Sequence, residues 1–524
     1  MRRKKQKFVF AILGAFIIIA LLYVAVQSPA VRNMLQGSVV TRGVTHDAWP
    51  LVCASSIDTV AFGDNHSFTP TVSADGRYIV YSSKAANLVP NDDNNVADIF
   101  LYDKNNGQID RISVTSAGEQ ANGTSEAPTI SADGQHIAFV SYATNLVPDD
   151  TNAVQDIFWH NRQTGTTTRI STAADGSNAN GMSIQPRLAA NGRYLTFSSS
   201  ATNLAPNDDN NNPDIFVYDQ ETNSIELISV APDGNIALSG SDSPDISADG
   251  RYVTFASVAS NLVPDDTNGV YDIFVRDRTA GTTTRITVGA DGAEGDNHSQ
   301  VPRISDDGQR ISYYSKASNL VATDTNDAFD VFVYDRGSNV TTLVSHAYNG
   351  DDAGNAHSLF HDISGNGRYI TYMSLATNII ADDTNDATDI FLYDMNNATT
   401  TLISVNADGQ QSNFAGDTSN FAGDSQAEIN AYIDQLSTGK SSQEATAAVG
   451  GDGPNASPPN DLVRPAISAT GAYIIYDSMA TNLVPNDDNN ARDIFVTNYT
   501  PAPDNQPTFN PTSFTYLPII VSSN

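Results

Sequence analysis

Short runs of alternating apolar and polar residues, separated by turn residues, recur along most of this chain. The run Arg77–Tyr81 follows Asp75-Gly76, and an Asp-Gly pair between two such runs indicates a hairpin because glycine accepts positive φ. A second pair of runs, Asp98–Tyr102 and Asp110–Val114, is separated by the turn residues Lys104–Gly107. With the short segment that precedes the Asp-Gly turn, the pattern predicts four short strands in each unit.

The same unit is repeated along the chain. The tripeptide Asp-Ile/Val-Phe begins at Asp98, Asp156, Asp214, Asp272, Asp330, Asp389 and Asp493. The step between successive copies is 58 residues four times, then 59 and finally 104, which is one period plus about 46 extra residues. The repeats therefore indicate seven copies with one insertion.

Seven four-stranded antiparallel units predict an all-β fold, a seven-bladed β-propeller over residues 56–498, because closing the ring leaves only short strand edges exposed. A β-sandwich or a β-solenoid is the alternative. The seventh copy stops after its third strand, at Val496–Asn498. We expect Ser56–Val60, which resembles the fourth-strand segments, to complete this blade. The competing segment is Phe514–Val521, which contains Pro518.

The insertion covers about residues 408–458, between the sixth and seventh copies. Ser425 and Glu428 fit a capping box, Ile429, Ile433 and Leu436 share one helical face, and Gly439 can end a helix. One helix is therefore predicted within the insertion. A lid or a partner-binding arm is one interpretation of the insertion, and a tolerated loop decoration is the favoured one.

The amino terminus predicts export from the cytoplasm. Basic residues at positions 2–7 precede Phe8–Val26, nineteen residues without a charge, so that residues 1–30 are typical of a signal peptide or a membrane-anchoring helix. Basic residues before the span favour a cytoplasmic start and an extracytoplasmic remainder, which is secreted if the segment is cleaved and anchored if it is not. Residues 31–55 are expected to form a linker, and 499–524 a proline-rich tail.

The charge of the chain limits its partners. The chain has 27 Lys and Arg against 60 Asp and Glu, a net charge of −33. Such a surface repels phosphate backbones, so nucleic acid is excluded and cations or basic ligands are favoured. The sole cysteine, Cys53, excludes a scaffold held together by internal disulfides.

The blade motif carries a resemblance to a known family. The sequence Pro70-Thr-Val-Ser-Ala-Asp-Gly-Arg-Tyr78 is followed within a few residues by an aromatic residue, and variants of this sequence recur in the other copies. These repeats resemble the TolB-type, WD40-like (PD40) propeller repeats of bacterial exported proteins, over about residues 56–498. The resemblance implies the propeller fold but not an activity, since similar propellers serve in binding, in envelope assembly and as parts of peptidases and polysaccharide lyases. Nothing in the chain matches the separate amino-terminal domain of TolB, so a role in the Tol system is not implied.

An acidic loop between the second and third strands is the strongest candidate for chemistry. Each copy contains Asp-x-Asn-x-x-x-Asp, and the seven instances are Asp92/Asn94/Asp98, Asp150/Asn152/Asp156, Asp208/Asn210/Asp214, Asp266/Asn268/Asp272, Asp324/Asn326/Asp330, Asp383/Asn385/Asp389 and Asp487/Asn489/Asp493. Calcium takes six to eight oxygen ligands, which carboxylates, amides and backbone carbonyls supply. The alternative is that these residues form Asx turns and caps. Seven retained carboxylate pairs on an acidic protein favour metal ligands, with calcium first and magnesium second.

The linkers between units are predicted to lie on the same face of the ring as the acidic loops, because the strands alternate in direction. A serine recurs in these linkers, and histidine precedes it at His66, His298 and His357. Three equivalent histidines are candidates for transition-metal binding or for acid–base work in a lyase, although polar turn residues are the favoured interpretation. Neither a nucleophile elbow nor a zinc or Walker motif occurs in the sequence.

The sequence therefore predicts a monomeric, calcium-stabilised propeller at the cell surface that binds a protein or a glycan through this face without catalysis. A carbohydrate-active enzyme, such as a polysaccharide lyase that uses the linker histidines, is the alternative.

Overall fold

The computed structural model describes residues 63–413 and 465–499 except 386, 407, 486, 488 and 490, together with 433–438, 440 and the backbone of 60–61 and 521–522. Within these residues the chain forms seven antiparallel blades, six of four strands and one of three. The predicted all-β, seven-bladed propeller is confirmed. The apolar segment Phe8–Val26, predicted to be a helix, lies outside the described residues.

The strands of each blade pair in sequence order. The first strands of the seven blades are β2 (Ser67–Val72), β6 (Ser125–Ile130), β10 (Ser183–Leu188), β14 (Ser241–Ile246), β18 (Ser299–Ile304), β22 (Ser358–Ile363) and β26 (Ala466–Ile467). The second strands are β3 (Tyr78–Ser83), β7 (His136–Ser141), β11 (Tyr194–Ser199), β15 (Tyr252–Ser257), β19 (Arg310–Ser315), β23 (Tyr369–Ser374) and β27 (Tyr473–Ser478).

The third and fourth strands complete the blades outwards. The third strands are β4 (Asp98–Asp103), β8 (Asp156–Asn161), β12 (Asp214–Asp219), β16 (Asp272–Asp277), β20 (Asp330–Asp335), β24 (Asp389–Asp394) and β28 (Asp493–Asn498). The fourth strands of blades 1–6 are β5 (Gln108–Arg111), β9 (Thr166–Arg169), β13 (Ser224–Leu227), β17 (Thr282–Arg285), β21 (Val340–Leu343) and β25 (Thr399–Leu402). The remaining two strands, β1 (Val60–Ala61) and β29 (Val521–Ser522), pair with each other.

The core of each blade contains one aromatic pair that joins the second strand to the third. The ring centroids lie 5.6 to 6.0 Å apart in a stacked arrangement in all seven blades. The pairs are Tyr81–Phe100, Phe139–Phe158, Phe197–Phe216, Phe255–Phe274, Tyr313–Phe332, Tyr372–Phe391 and Tyr476–Phe495. These rings are buried between neighbouring blades, so that the hydrophobic core is a ring of similar clusters.

The predicted Asp-Gly turns join the first strand to the second and also contact the next blade. Ser73 Oγ donates to Asp75 Oδ1 at 2.7 Å and accepts from Tyr78 N at 3.0 Å, which closes the turn in blade 1. The guanidinium of Arg77 donates twice to Asp103 at the end of β4. The ring of Tyr78 packs on Gly134 of blade 2, where an added Cβ would lie 2.3 Å from the ring. The blade motif therefore stabilises both the hairpin and the blade-to-blade contact.

The ring closes between blade 7 and blade 1. Ser67 N donates to Arg492 O at 2.9 Å, and Asn489 Nδ2 donates to Gly63 O at 3.2 Å. The fourth strand of blade 7 is not among the described residues. Of the two segments predicted for it, only Val60 and Val521 are described, and each lies in the two-stranded sheet of β1 and β29.

Part of the insertion packs on the propeller. Residues 433–437 are helical, as predicted, and the side chains of Ile433 and Leu436 are buried in the hydrophobic cluster of blades 5 to 7. Gln300 Nε2 donates to Lys440 O at 2.9 Å. The predicted capping residues Ser425 and Glu428 lie outside the described part of the chain. Among the described residues, no helix is both long and apolar enough to cross a membrane.

Candidate functional site: the acidic loops

All described acidic loops lie at the same edge of the blades. In blade 1, Ser83 at the end of β3 pairs with Asp98 at the start of β4, and Ser83 also pairs with Ser67 at the start of β2. The acidic loop and the linker that enters the blade are therefore on one face of the ring, as the alternation of strand direction predicts. We call this face the top face.

The asparagine of the motif connects the loop to its own blade and to the linker. Asn94 Nδ2 donates to Asp98 Oδ2 at 2.7 Å and to Ala121 O at 3.0 Å, while Asn94 Oδ1 accepts from Val96 N at 3.2 Å. In blade 6, Asn385 Nδ2 donates to Ser412 O and its Oδ1 accepts from Ala387 N, both at 3.2 Å. All three contacts of blade 1 recur in blades 2 to 5 and in blade 7, where the asparagines are Asn152, Asn210, Asn268, Asn326 and Asn489.

These contacts differ from the metal-ligand role that the sequence predicts for the asparagines. The amide oxygen, which is the atom that would bind a cation, already accepts a backbone N–H two residues further on, which is the contact of an Asx turn. The amide nitrogen donates to a linker carbonyl, so the side chain is held in the turn from both ends. The Asx-turn contact is made by Asn94, Asn152, Asn210, Asn268, Asn326, Asn385 and Asn489, whose metal-ligand role stays a prediction. The aspartates are the stronger candidate ligands of each loop.

The second aspartate of the motif is the most buried member. Asp98 has an exposed fraction of 0%, and its Oδ1 accepts a hydrogen bond from the hydroxyl of Ser113. The hydroxyls that make this bond in blades 1 to 6 belong to Ser113, Ser171, Ser229, Thr287, Ser345 and Ser404. Burial raises the pKa of this carboxyl group in each of these blades, and it raises the pKa of Asp493 in blade 7 to about 7.

The first aspartate of the motif has a different partner in different blades. In blade 1, Arg111 at the end of β5 places Nη1 3.1 Å from Asp92 Oδ1 and 3.8 Å from Asp98 Oδ2. Arg169 and Arg285 occupy the same position in blades 2 and 4, at 3.2 Å and 3.4 Å from the first aspartate. In these three blades a buried guanidinium therefore offsets one of the two negative charges of the carboxylate pair.

Leucine replaces the arginine in blades 3, 5 and 6. Leu227, Leu343 and Leu402 each stand thirteen residues after the second aspartate, where the other blades have Arg111, Arg169 and Arg285. In each of these blades a carboxylate oxygen is buried without a hydrogen-bond partner and without a guanidinium beside it, whereas the equally buried Asp150 Oδ1 of blade 2 has Arg169 at 3.2 Å. The oxygens of the three leucine blades are Asp208 Oδ1, Asp324 Oδ2 and Asp389 Oδ2.

Burial and the neighbouring carboxylate affect the acidity of the loops. Burial raises the pKa of Asp214, Asp330 and Asp389 to about 7, and the charge of the first aspartate adds to the rise. Burial also raises the pKa of Asp272 in blade 4, to about 6, and the hydrogen bonds from Thr287 and Asn268 and then the charge of Arg285 act in the opposite direction. Two adjacent buried carboxylates are costly to ionise together, so these loops favour the uptake of a positive charge.

Blade 4 contains a third carboxylate beside the pair. Asp266, Asp272 and Glu294 can each present an oxygen within 4.8 Å of the others, which is an arrangement that can hold a metal ion. Arg285 Nη1 lies 3.4, 3.6 and 2.9 Å from these three side chains. Because the guanidinium already contacts all three carboxylates, a metal ion would have to displace it.

One variable position of the acidic loop, directly after the motif asparagine, requires a left-handed backbone conformation. The residue one position after the motif asparagine has positive φ in five blades, with values from 56° to 68°. These residues are Asn95, Ala153, Asn211, Gly269 and Asp327. Asn, Asp and Gly tolerate the left-handed region well, and this explains most of the variation at this position. Ala153 is the strained exception.

The asparagine that precedes the acidic loop in each unit is not part of the motif but has a clear structural role. Asn145 Oδ1 accepts from Asn122 N at 3.0 Å, and its Nδ2 donates to Gln120 O at 2.9 Å. Equivalent bonds from Asn203, Asn261, Asn319 and Asn482 tie each linker to the following blade.

The three linker histidines lie at separate blade junctions. His66 Nδ1 accepts from Arg492 N, His298 Nδ1 accepts from Tyr271 N, and His357 Nδ1 accepts from Phe329 N. Each bond joins a linker to the preceding blade, at the junctions of blades 7 and 1, 4 and 5, and 5 and 6. Burial lowers the pKa of His298 and His357, so both side chains favour the neutral form. The contacts are those of structural residues.

Sequence reasoning missed the three arginines of the fourth strands. They are separated from the acidic motif by a full hairpin, and nothing local marks them as its partners. The available signal was the alignment of the seven copies, in which one position is occupied only by arginine or leucine in blades 1 to 6.

Comparison with known proteins gives matches among solved structures. No family model and no curated protein matches the chain. Among solved structures, TolB from Acinetobacter baumannii matches with 16% identity and a TM-score of 0.36, over 64% of this chain and 62% of TolB. Oligogalacturonate lyase from Vibrio parahaemolyticus matches with 11% identity and a TM-score of 0.47, over 84% of this chain and 90% of the lyase. An oligogalacturonate lyase in complex with manganese matches with 11% identity and a TM-score of 0.46, over 83% and 89%.

The chain thus spans 62% of the TolB structure that it matches. The propeller fold that the blade motif implied is confirmed by the seven blades themselves.

Proposed function

We propose that this chain is an extracytoplasmic binding module without catalysis, whose propeller is stabilised by divalent cations, calcium first. Its ligand is a protein or a glycan that binds to the top face. The observation that carries the proposal is the set of buried carboxylate pairs on that face. Oxygen ligands suit calcium and magnesium, and calcium is abundant outside cells. The export signal predicted for residues 1–30 supports this location, with the chain either anchored by the segment or released.

The distribution of exposed apolar side chains supports the top face as the binding surface. Among the described residues, five large apolar side chains are exposed, and four of them lie on top-face loops or linkers. These are Tyr142, Met182, Leu238 and Tyr348, whereas Val340 follows a turn on the opposite face. Exposed apolar and aromatic groups beside polar linkers are suited to contacts with proteins and with sugar rings.

The catalytic alternative depends on the linker histidines. Because His66, His298 and His357 accept backbone N–H groups at three separate junctions, their Nδ1 atoms are already used in the structure. This favours binding over catalysis. Incubation with oligogalacturonate, followed by the ultraviolet absorbance of an unsaturated product, is the direct assay, and product formation would contradict the non-catalytic proposal.

Thermal melting of the full chain with calcium and with a chelator tests the cation. Binding to the folded state alone stabilises it by about 2.7 kcal/mol per site at a hundredfold excess over Kd. We therefore expect the melting temperature to fall when the chelator is added and to return with excess calcium. An unchanged melting temperature would remove the cation from the proposal.

An array of polysaccharide fragments and a panel of cell-surface proteins test the ligand. We expect binding that is weakened by Leu238→Ser, since Leu238 is 68% exposed on the top face. Val340→Ser is the matched control, because Val340 is 52% exposed on the opposite face. Equal losses in both variants would contradict binding at the top face.

A further inference from the structure

We infer that blades 3, 5 and 6 each bind one divalent cation at the place that an arginine guanidinium occupies in blades 1, 2 and 4. The inference rests on the proposed cation-stabilised function and names the sites. It divides the acidic loops, which share the same motif, into two classes. In one class the positive charge is part of the protein, and in the other it comes from solution.

The arginine blades define the position and its oxygen ligands. Arg111 lies near Asp92 Oδ1 and Asp98 Oδ2, and its Nη2 donates to Asn91 O at 3.2 Å. Arg169 and Arg285 repeat the contact with the backbone carbonyl of the residue before the first aspartate, at 3.4 and 3.5 Å. A positive group at this position therefore meets two carboxylates and one carbonyl, all of them hard oxygen ligands.

The leucine blades keep the same oxygens without the guanidinium. In blade 3 the equivalent atoms are Asp208 Oδ1, Asp214 Oδ2 and the carbonyl of Asn207. Asp208 is only 5% exposed, and its Oδ1 is buried without a hydrogen-bond partner. Asp324 in blade 5, which is 4% exposed, has an equally isolated Oδ2. A buried carboxylate oxygen of this kind is expensive unless a cation or a proton reaches it.

A second residue changes with the arginine in blades 3 and 5. In blades 1, 2 and 4 the linker position that bridges back to the fourth-strand segment is Gln120, Asn178 or Glu294, and Gln120 Oε1 accepts from Arg111. In blades 3 and 5 the position is Ile236 or Ala353. Blade 6 has Gln411, whose Nε2 donates to Asp382 O at 2.5 Å. In blades 3 and 5 this position therefore has no polar side chain that could compete with a cation for the oxygens, and blade 3 is chosen for the first test.

Calcium binding to the full chain, after removal of metal by a chelator, tests the inference by stoichiometry. Calcium chloride alone is the probe, with the bound ions counted by equilibrium dialysis. Leu227→Arg should lower the number of bound ions by one, and Leu402→Arg should do so independently if the first variant does not fold. Arg169→Leu should raise the number by one, because it gives blade 2 the arrangement of blade 6. These differences do not depend on blade 7, whose fourth strand is not described.

A charge-matched control separates a new site from a general effect of the substitution. In Arg169→Leu/Asp150→Asn the guanidinium and one carboxylate are removed together, and no additional ion should bind. Arg251→Leu removes an arginine that pairs with Asp277 on the opposite face, and its calcium stoichiometry should equal that of the wild type.

The possible outcomes distinguish the inference from the proposed function. Calcium binding whose stoichiometry is unchanged by Leu227→Arg, Leu402→Arg and Arg169→Leu would overturn the inference and leave the cation-stabilised propeller intact. Seven bound ions in the wild type would also overturn the inference and leave the cation-stabilised propeller intact. No calcium binding together with no effect of the chelator on melting would overturn both.

Discussion

The substitution Gly250→Ala should show how much the contact between neighbouring blades at the blade motif contributes to the free energy of unfolding. Gly250 has a φ of 75° and packs against Tyr194 of the preceding blade. A Cβ at this position would lie 2.1 Å from Tyr194 Cδ2 and 2.6 Å from Cγ, so the ring must move. The ring is also contacted by Arg193 and Arg278, whose guanidinium carbons lie 4.8 and 4.9 Å from its centroid.

The magnitude follows from three contributions. The positive φ costs an alanine about 1 kcal/mol net. Overpacking against the ring adds about 1 to 3 kcal/mol, and weakened cation–π contacts add about 0.5 to 1 kcal/mol. We therefore expect Gly250→Ala to lower the free energy of unfolding by about 3 to 5 kcal/mol. Gly292 has a φ of 83° with nothing within 4 Å of its Cβ position, so Gly292→Ala should cost only about 1 kcal/mol.

Equilibrium unfolding in urea, compared at equal slope, gives both values. The cycle is completed by Tyr194→Ala, in whose background Gly250→Ala should again cost only about 1 kcal/mol because the ring is gone. Equal costs for Gly250→Ala and Gly292→Ala, or a cost of Gly250→Ala that persists without the ring, would refute the role of this contact between blades.

Three further predictions concern single positions. Ala153→Gly should stabilise the protein and Gly269→Ala should destabilise it, each by about 1 kcal/mol in urea unfolding. Both positions have positive φ, and no atom lies near the Cβ position of Gly269. Effects of the same sign in the two variants would contradict this prediction. His361 stands where blades 1 to 5 have proline, and burial lowers its pKa from 6.5 to about 3. The unfolded chain therefore binds a proton below pH 6.5 that the folded chain does not, so the stability of the wild type should fall relative to His361→Pro by about 2 to 3 kcal/mol between pH 7 and 4.5; parallel pH profiles would be the contrary result. Arg492→Met should cost about 3 to 5 kcal/mol, because the buried Asp477 loses the guanidinium at 2.9 Å, and a cost no larger than that of Arg251→Met, an exposed pair, would contradict it.

The propeller could be predicted because its signals are local and repeated. Asp-Gly turns and alternating runs mark the strands, and the constant spacing of the Asp-Ile/Val-Phe tripeptide sets the number of blades. The end of the fourth strand was less accurate. β5 ends at Arg111 instead of Val114, because Val114 bridges to Gln120 in a turn of the linker.

The first strands show a feature that no local propensity indicates. Each first strand of blades 1 to 6 has a bulge, and its central residue has a φ between 42° and 54°. Thr69, Val301 and Phe360 occupy this position although β-branched and bulky residues avoid the left-handed region. The bulge could therefore not be derived from the types of these residues.

The acidic loops were found from the sequence, but their differences were not. The motif Asp-x-Asn-x-x-x-Asp is identical in type in all seven copies, so the sequence predicted seven equal sites. The charge at each site also depends on a residue of the fourth strand, Arg111 in blade 1 and Leu227 in blade 3, which reaches the loop only through the fold. Whether a carboxylate pair has a guanidinium beside it is therefore determined by the tertiary structure.

The different roles of asparagine and aspartate within the motif could also not be predicted from the sequence. Asparagine and aspartate both offer an oxygen to a cation, and both form Asx turns, so the residue types alone leave the two roles open. The fold separates them, because Asn152 accepts a hydrogen bond from Val154 N and donates to Ala179 O, whereas Asp156 is buried and forms the carboxylate pair with Asp150. The asparagines therefore shape the loop and the aspartates carry its charge.

Anomalous diffraction from crystals soaked in manganese chloride, which can replace calcium at oxygen sites, tests the central claim most directly. The account predicts a peak beside Asp208, Asp324 and Asp389 and no peak beside Arg111, Arg169 or Arg285. Peaks in every blade, or no peak in blades 3, 5 and 6, would contradict it.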